Sequence, residues 1–314
     1  MAAGRGRVVL GGFVAALLAM TDALRAGWGG VAAGVGVGHS GASFARPPEE
    51  PPMPADVETP HAALAAPPPA GIDAGEWQAR VELAALYRLV ALHGWDDLIF
   101  THLSARVPGP AQHFLINPYG LLFEEITASS LVKVDAGGGI VGPAAHGINP
   151  AGFTIHSAIH AAREDAHFVM HLHTEQGVAV AAQAEGLLPL SQHALTVLPH
   201  LAYHDYEGIA LNPDERTRLV RDLGTRHLML LRNHGTLAVG PTAGAAWLAM
   251  FMLERACRQQ VLALAGGREG VLIAPEAAQA EVRAQTARGF AGAAALAWPG
   301  LLRLLDRRAP GYDR

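Results

Sequence analysis

The chain has 314 residues, half of them apolar and 16% charged, which is enough for one large globular domain or two small ones. The formal net charge of −5, with no dense lysine/arginine run, excludes the basic face that a nucleic-acid-binding protein needs. The single cysteine, Cys257, excludes an internal disulfide and a cysteine-based zinc site, so any metal must be held by histidine or carboxylate side chains.

The first 71 residues differ in composition from the rest. Residues 8–20 are an apolar run behind Arg5 and Arg7, as in a secretory signal, but too short to span a bilayer, which needs ~20 residues. The alternative is an Ala/Gly-rich leader, favoured because disulfides typical of secreted proteins cannot form here. Nine of the 21 prolines lie in residues 43–71 and predict an extended linker. We therefore expect a leader and linker over residues 1–71 of a cytoplasmic protein.

The folded part is predicted to start at Ile72. Asp73 has the character of a helix cap, and the helix should end at Gly94. Asn149-Pro150 predicts a helix through about Ala162, and Thr174 should cap another. Further segments are predicted from composition: short strands within 98–107, 113–116 and 130–134, buried strands at 168–173 and 227–231, a helix start at 212–215, a long helix at 242–265 and a helical tail from 274.

Two histidines stand two residues apart on the predicted strand at 168–173. Side chains repeat every two residues on a strand, so His171 and His173 should project from one face, at its C-terminal end. His234 follows the strand at 227–231 by three residues, and Gly235 allows a tight turn behind it. Three imidazoles from two strand ends suit zinc, manganese or iron(II) and leave positions open for a substrate. The alternative is a set of ordinary strand-end histidines.

Several segments resemble one family. RNHG and VMHLHTEQG are similar to class II aldolases such as fuculose-phosphate aldolase. HGWDDLIFTHLSARV, HFLINPYGLLFEEITASSLVKVD, NPAGFTIHSAIHAA and AYHDYEGIAL resemble the adducin head domain, in order. The resemblance to the class II aldolase/adducin family covers about residues 83–267 and includes bacterial adducin-like proteins.

This resemblance implies an α/β fold and a metal site. The fold would be a three-layer α/β/α sandwich around a mixed, largely antiparallel sheet over residues 72–273, followed by a C-terminal helical tail at 274–314. His171, His173 and His234 match the three histidine ligands of the family's divalent metal, which would be zinc in the first place, with manganese or iron(II) as alternatives. The resemblance also implies a homotetramer with its sites at subunit contacts.

The chain departs from the family at the expected substrate site. Gly152 stands where the aldolases have a carboxylate that serves as a resting ligand and acid/base. Phosphate-binding positions are altered as well, which removes phosphate donors and argues against a sugar-phosphate substrate. The family's Gly-Asn pair becomes Thr101-His102, its Ser-Gly pair becomes Tyr119-Gly120, and two of its serines become Pro150 and Ala151. The candidate substrate-binding residues are therefore Thr101, His102, Asn117, Tyr119, Gly120 and Gly152.

Other candidate acid–base and ligand residues keep two interpretations each. Tyr203 aligns with the tyrosine that donates a proton in a neighbouring subunit's site, or it packs in its loop. Glu175 could replace the missing base, but a first-turn helix acid is favoured. His102 could bind a carboxylate substrate or act as a base near neutral pH, or it is a loop histidine. His156 and His160, four apart on a helix, form a rival metal pair.

Two functions follow. The first is a metal-dependent lyase that cleaves a C–C bond of a small hydroxy- or oxo-acid by decarboxylation or retro-aldol reaction. Decarboxylation tolerates Gly152 better because it needs no carboxylate base to deprotonate a hydroxyl group. The second is a non-catalytic oligomerising module like the adducin head, of the actin-binding type. The histidine triad favours the enzyme, with a small-molecule acid as its partner and neither nucleic acid nor membrane.

Overall fold

A seven-stranded mixed sheet forms the centre of the computed structural model, which describes residues 68–208, 214–287 and 289–314. The leader and linker expected before residue 68, with their signal-like start, lie outside the described residues, as do the first residues of the helix start at 212–215. The strands are β1 (His102–Arg106), β2 (Phe114–Ile116), β3 (Val132–Val134), β4 (Phe168–Leu172), β5 (Leu201–His204), β6 (Leu228–Leu231) and β7 (Gly235–Gly240).

The strands lie in the order β3-β2-β1-β4-β7-β6-β5. Every neighbouring pair is antiparallel except β5 and β6, which are parallel. The helices are α1 (Ala74–Leu92), α2 (Pro150–Ala162), α3 (Glu175–Ala181), α4 (Gln192–Val197), α5 (Glu215–Leu223), α6 (Ala243–Leu264), α7 (Glu276–Gln285) and α8 (Ala291–Arg308). Short 3-10 turns lie at Phe123–Glu125 and Leu198–His200. The predicted mixed, largely antiparallel α/β fold is confirmed.

Local sequence signals place most element boundaries. The side chain of Asp73 accepts a hydrogen bond from Glu76 N at 2.9 Å, and Thr174 accepts one from Gly177 N at 3.0 Å. Both caps were predicted from the sequence, and the helix expected to open at Asn149-Pro150 runs from Pro150 to Ala162. The strands β5 and β7 were not anticipated, because β7 begins and ends with glycines that otherwise mark turns.

The sheet has a core on each face. The larger one lies under α1 and α6, and the smaller one lies under α2 and α5. Side chains alternate between the two faces along β4, where Phe168, Met170 and Leu172 belong to the larger core and Val169 to the smaller. His171 therefore projects on the side of the smaller core.

The C-terminal helices pack onto the same body. The helix α8 lies against α6 and α1, and a Cβ at Gly244 would come within 3.0 Å of Trp298 Cβ. The last residues are held as well, since Ala128 N donates to Tyr312 O at 2.8 Å. Within the described part of the chain, no helix is long and apolar enough to cross a membrane.

A buried carboxyl group on α6 joins the helix layer to the strand ends near the candidate site. The hydroxyl of Thr174 donates to Glu254 Oε2 at 2.5 Å, and that of Thr236 donates to Glu254 Oε1 at 2.8 Å. Burial raises the pKa of Glu254 to about 7, although the two hydroxyl donors act in the opposite direction. Thr174 follows β4 and Thr236 lies on β7, so this carboxyl group links both strands to α6.

Replacing Glu254 with glutamine is expected to remove a pH dependence of stability. The pKa of this group rises from 4.5 in the unfolded chain to about 7 in the folded one. The contribution of this group to stability is therefore complete below pH ~4.5 and is lost as the pH rises to ~7, by ~3 kcal/mol in all. Urea unfolding at pH 5 and pH 8 should show the glutamine variant gaining ~2–3 kcal/mol relative to the wild type over that interval.

The matched control is Glu164→Gln, since Glu164 is an exposed acid on the same domain. This variant should follow the wild-type pH curve. Parallel pH curves for the Glu254 variant and the wild type would contradict the assignment of a raised pKa to Glu254.

Candidate metal centre

Three imidazoles converge at the C-terminal end of β4. His171 is the fourth residue of β4 and 1% exposed, and His173 follows one residue after the strand. His234 lies in the turn between β6 and β7, where Asn233 takes the left-handed conformation with φ of 56°. One ring nitrogen from each histidine lies within 4.8 Å of the others, and His171 Nε2 is 3.1 Å from His173 Nε2. The structure thus brings together the three histidines predicted as ligands.

The outer ring nitrogens of two histidines have hydrogen-bond acceptors. His171 Nδ1 lies 3.1 Å from Thr236 O, and His173 Nδ1 lies 3.1 Å from Asp97 Oδ2. A carbonyl or carboxylate oxygen can only accept, so each Nδ1 carries a proton, and a neutral ring then has its lone pair on Nε2. Carboxylates and carbonyls orient metal-binding histidines in this way in known metal sites.

The donor set fits a divalent metal ion. Two imidazole nitrogens only 3.1 Å apart share either a proton or a metal ion. Two ligands bound to tetrahedral zinc at ~2.0–2.1 Å would be roughly 3.4 Å apart, close to this separation. The residues present therefore suit zinc or a similar ion held by three imidazoles.

Burial keeps the imidazoles of His171 and His234 in the neutral form that binds metals. It lowers the pKa of His171 well below the usual value, and the neighbouring His234 and His102 lower it further. Burial also lowers the pKa of His234 to about 4, with a further contribution from His173. At neutral pH neither ring has to lose a proton before it binds a metal.

Gly235 is required by a close approach between strands. A Cβ at this position would lie 2.3 Å from Leu172 O and 3.1 Å from His173 Cδ2. The tight turn expected at this glycine is made by Asn233 instead, whose φ is 56°. Gly235 allows β7 to lie directly against the end of β4 that carries the histidines.

The space beside Gly152 is filled by His102. Strand register places His102 opposite His171, and their ring centroids are 5.3 Å apart. A Cβ at Gly152 would come within 2.6 Å of His102 Cδ2. Burial, with a smaller contribution from His173, lowers the pKa of His102 to about 3, so its ring is neutral at physiological pH. Position 152, where the resemblance led us to expect a carboxylate in the family, thus has no side chain, and an imidazole from β1 lies next to it.

The other predicted substrate-binding residues lie in the loops around β1 and β2. Thr101 is buried with a positive φ of 63°, and Asn117 Oδ1 lies 2.9 Å from the Tyr87 hydroxyl, which also accepts from Leu103 N. This hydroxyl holds Asn117 beside the start of β1. Tyr119 is 39% exposed, and Gly120 has a φ of +106° that favours glycine.

Tyr203 projects on the opposite face of the sheet from the histidine triad. It packs against the larger core, its hydroxyl accepts a hydrogen bond from Leu187 N at 3.0 Å, and the Arg232 guanidinium lies 4.4 Å from its ring centre. Its role in a neighbouring subunit's site stays a prediction. Tyr206, which the sequence did not single out, is 54% exposed and has its ring centre 6.2 Å from that of His234.

The two histidines of the rival metal pair, His156 and His160, contact the same serine hydroxyl group. Ser104 Oγ lies 2.5 Å from His156 Nδ1 and 2.7 Å from His160 Nε2, and His160 Nδ1 donates to Ala166 O at 2.8 Å. The pair is thus bridged by a hydroxyl group. Glu175 is exposed at the first position of α3, which agrees with the favoured interpretation of a helix first-turn acid.

Asp97 was also missed by sequence reasoning. It lies 76 residues before His173, and no motif links the two residues. Leu98 and Thr101 nearby have positive φ values of 52° and 63°, which are uncommon for residues with side chains and mark a constrained loop. A signal for Asp97 could have come only from the three-dimensional pairing of this loop with β4.

Comparison with known proteins agrees with this fold. The family profile of the class II aldolase and adducin N-terminal domain matches residues 81–261. A protein of Caulobacter vibrioides whose name places it in aldolase class 2 is 69% identical over 241 residues, 77% of this chain and 94% of that protein. Alpha-adducin of Rattus norvegicus is 47% identical over 206 residues, 64% of this chain and 28% of adducin.

Solved structures show the same architecture. An aldolase II superfamily protein from Pseudomonas syringae has a TM-score of 0.74 and 50% identity, over 77% of this chain and 98% of that one. L-fuculose 1-phosphate aldolase from Glaciozyma antarctica has a TM-score of 0.68 and 28% identity, over 79% and 97% of the two chains. The fold and the histidine triad define an α/β domain of the aldolase II type. The chain belongs to the class II aldolase/adducin family.

Replacing Asp97 with asparagine is expected to weaken metal binding by about 10–100-fold without removing a ligand. The amide of this variant would no longer offer His173 Nδ1 a charged acceptor, so the ring would lose its fixed tautomer and orientation. Competition of each protein with a chromogenic zinc chelator measures the change. The neighbouring exposed acid supplies the control, since Asp96→Asn should bind zinc as the wild type does.

Replacing Gly235 with alanine should disrupt the site through the backbone. A new Cβ would meet Leu172 O at 2.3 Å, so β4 and β7 would have to separate where His171 and His173 are attached. We expect a loss of ~1–3 kcal/mol in unfolding free energy and reduced zinc content. Gly147→Ala is the control, because a Cβ there meets nothing within 4 Å. Equal stability and zinc content in the two variants would refute the close-approach argument.

Proposed function

We propose that this protein is a divalent-metal-dependent lyase, with zinc as its metal, that cleaves a C–C bond of a small hydroxy- or oxo-acid. The observation that carries the proposal is the convergence of His171, His173 and His234 on one site, where the first two direct their Nε2 lone pairs. Such an ion, when bound, would act as a Lewis acid toward a substrate that offers two oxygens. An orienting acceptor behind two of the three rings supports a site built for binding rather than a chance cluster.

The residues around the triad favour an acid over a sugar phosphate. Gly152 offers no carboxylate to remove a proton, and His102 takes the space beside it. In a 2-oxo acid whose C3–C4 bond breaks, the electron pair stays on C3, while C4 leaves as CO₂ or as an aldehyde. Loss of CO₂ requires no base to deprotonate a hydroxyl group, so decarboxylation fits Gly152 better than retro-aldol cleavage. Both reactions end when a proton returns to C3.

The assembly is part of the same proposal. We propose a cytoplasmic homotetramer with its sites at subunit contacts, in which Tyr203 serves the site of a neighbouring subunit. Tyr203 packs on the face opposite its own chain's triad, so a contact with bound substrate would have to be in another subunit. Light scattering of the purified protein tests the assembly, and a monomer would remove this role from Tyr203.

Metal content and lyase activity test the proposed function together. Purified protein should contain about one zinc ion per chain by elemental analysis, and His171→Ala should lose it. A panel of hydroxy-, oxo- and ortho-hydroxy aromatic acids is then assayed for release of CO₂ or aldehyde by the wild type and this variant. A wild-type protein that takes up no zinc, manganese or iron would refute the proposal.

A second candidate function is a non-catalytic oligomerisation module of the actin-binding type. It is supported by the 47% identity with alpha-adducin, which this chain matches over 28% of adducin's length. The two candidates differ in their dependence on the triad. If His171→Ala leaves assembly and cellular phenotype unchanged while zinc is lost, and no acid is cleaved by the wild type, the module is favoured.

A further inference from the structure

A cleft lies at the end of the sheet away from the histidine triad. Its volume is about 360 Å³, and its polar lining consists of His200, Thr225, Arg226 and His227. Sites for small molecules have volumes of roughly 300–1,000 Å³. His227 precedes β6 and His234 follows it, and this strand of four residues rises ~13 Å. The cleft is therefore separate from the candidate metal centre.

Two imidazoles face each other across this cleft. The ring centroids of His200 and His227 are 6.2 Å apart. His200 Nε2 lies 3.2 Å from Thr286 O, and a carbonyl oxygen can only accept, so Nε2 carries a proton. A second proton on Nδ1 would make this ring a cation with another N–H donor. Both rings can thus become positively charged donors near neutral pH.

Arg226 adds a permanent positive charge to the lining. Its Nη1 donates a hydrogen bond to Leu201 O, which ties the guanidinium to the start of β5. Among the described residues, the neighbouring Arg163 pairs with Asp165 at 2.7 Å, and none of the ion pairs includes Arg226. A guanidinium presents its N–H groups as a planar fork that matches the oxygens of a phosphate group.

The charges around His227 favour an anion. Burial lowers the pKa of His227, and the positive charges of Arg163 and His200 lower it further, while Asp165 acts in the opposite direction. An added positive charge is therefore disfavoured here, although the whole chain has a formal net charge of −5. A bound anion would offset this local repulsion.

The carbonyl oxygens nearby are already occupied by donors. The helix α5 ends just before the cleft, and exposed carbonyl groups at a helix end would repel an anion. Gly224 O accepts a hydrogen bond from Arg163 Nη1 at 2.6 Å, and Leu223 O accepts one from Arg226 N at 3.0 Å. This arrangement weakens the negative end of α5 where the cleft begins.

We propose that this cleft binds the phosphate group of a small phosphorylated molecule through Arg226, His200 and His227. The terminal oxygens of a phosphate group can accept from the guanidinium fork, from both imidazoles and from the Thr225 hydroxyl. The rest of the cleft volume would hold the organic part of the ligand. Because the cleft is separate from the triad, this molecule is a second ligand and not the substrate, so the inference does not depend on the proposed function.

The test is calorimetric titration of the full-length chain with inorganic phosphate at pH ~6 and low ionic strength. His227→Ala and Arg226→Gln should each weaken phosphate binding about 10–100-fold, as expected for losing a hydrogen bond from a charged group. The glutamine keeps an N–H donor for Leu201 O. The matched controls are His146→Ala and Arg258→Gln, at exposed positions outside the cleft, and they should bind phosphate as the wild type does.

Two further arms identify the ligand and the charges that hold it. Acetate at the same ionic strength should bind more weakly than phosphate, because it has fewer oxygens for the same donors. Sulfate keeps its double negative charge between pH ~5.5 and ~8, so a fall in its affinity over that range reports proton loss from the imidazoles. This fall should be smaller in His227→Ala.

The metal centre is excluded as the phosphate site by His171→Ala. This variant should lose zinc and still bind phosphate as the wild type does. Loss of phosphate binding in His171→Ala, or full binding in both His227→Ala and Arg226→Gln, would overturn the proposed site. No heat of binding in the wild type would overturn it as well, and equal affinity for acetate would overturn phosphate as the ligand class. Circular dichroism of each variant verifies that the fold is retained.

Discussion

The pairing of β4 with β7 is the contact on which the candidate metal centre depends. It sets His171 opposite Leu237 and brings Thr236 O to His171 Nδ1. Because Gly235 has no side chain, β7 can begin directly against Leu172 O, just after the turn that holds His234. The paired strands thus carry His171 directly, and they fix the residue after β4 that bears His173 and the short turn that bears His234.

Behind the sheet, a buried carboxyl group ties the same strand ends to the long helix α6. Glu254 accepts from Thr174, which follows His173, and from Thr236, which is two residues after His234. A protein interior tolerates such a group only when it is fully hydrogen-bonded. The helix α6 carries no metal ligand, but through Glu254 it restrains the backbone next to His173 and His234. The stability of this helix and the order of the metal site are therefore physically connected.

Signals local in sequence were sufficient for much of the structure. The caps at Asp73 and Thr174, the helix from Pro150 and the spacing of His171 and His173 follow from short-range rules. Those rules do not predict contacts between segments that are distant in the sequence. Asp97 meets His173 only because β1 pairs with β4, and Ser104 bridges the two histidines of α2 only because that helix packs on the sheet. Periodicity along one segment carries no information on such partners.

The contact between His102 and residue 152 has an evolutionary consequence. An acidic side chain at 152 would have to pass through the volume that the imidazole already occupies. A carboxylate side chain at this position would therefore displace the imidazole unless residue 102 changes first, whereas the loss of His102 alone would leave the neighbouring glycine facing an empty space. We expect the effects of substitutions at the two positions to be non-additive. A chain with a carboxylate at 152 and a smaller residue at 102 differs from this one at both positions, and either single change leaves the space crowded or empty.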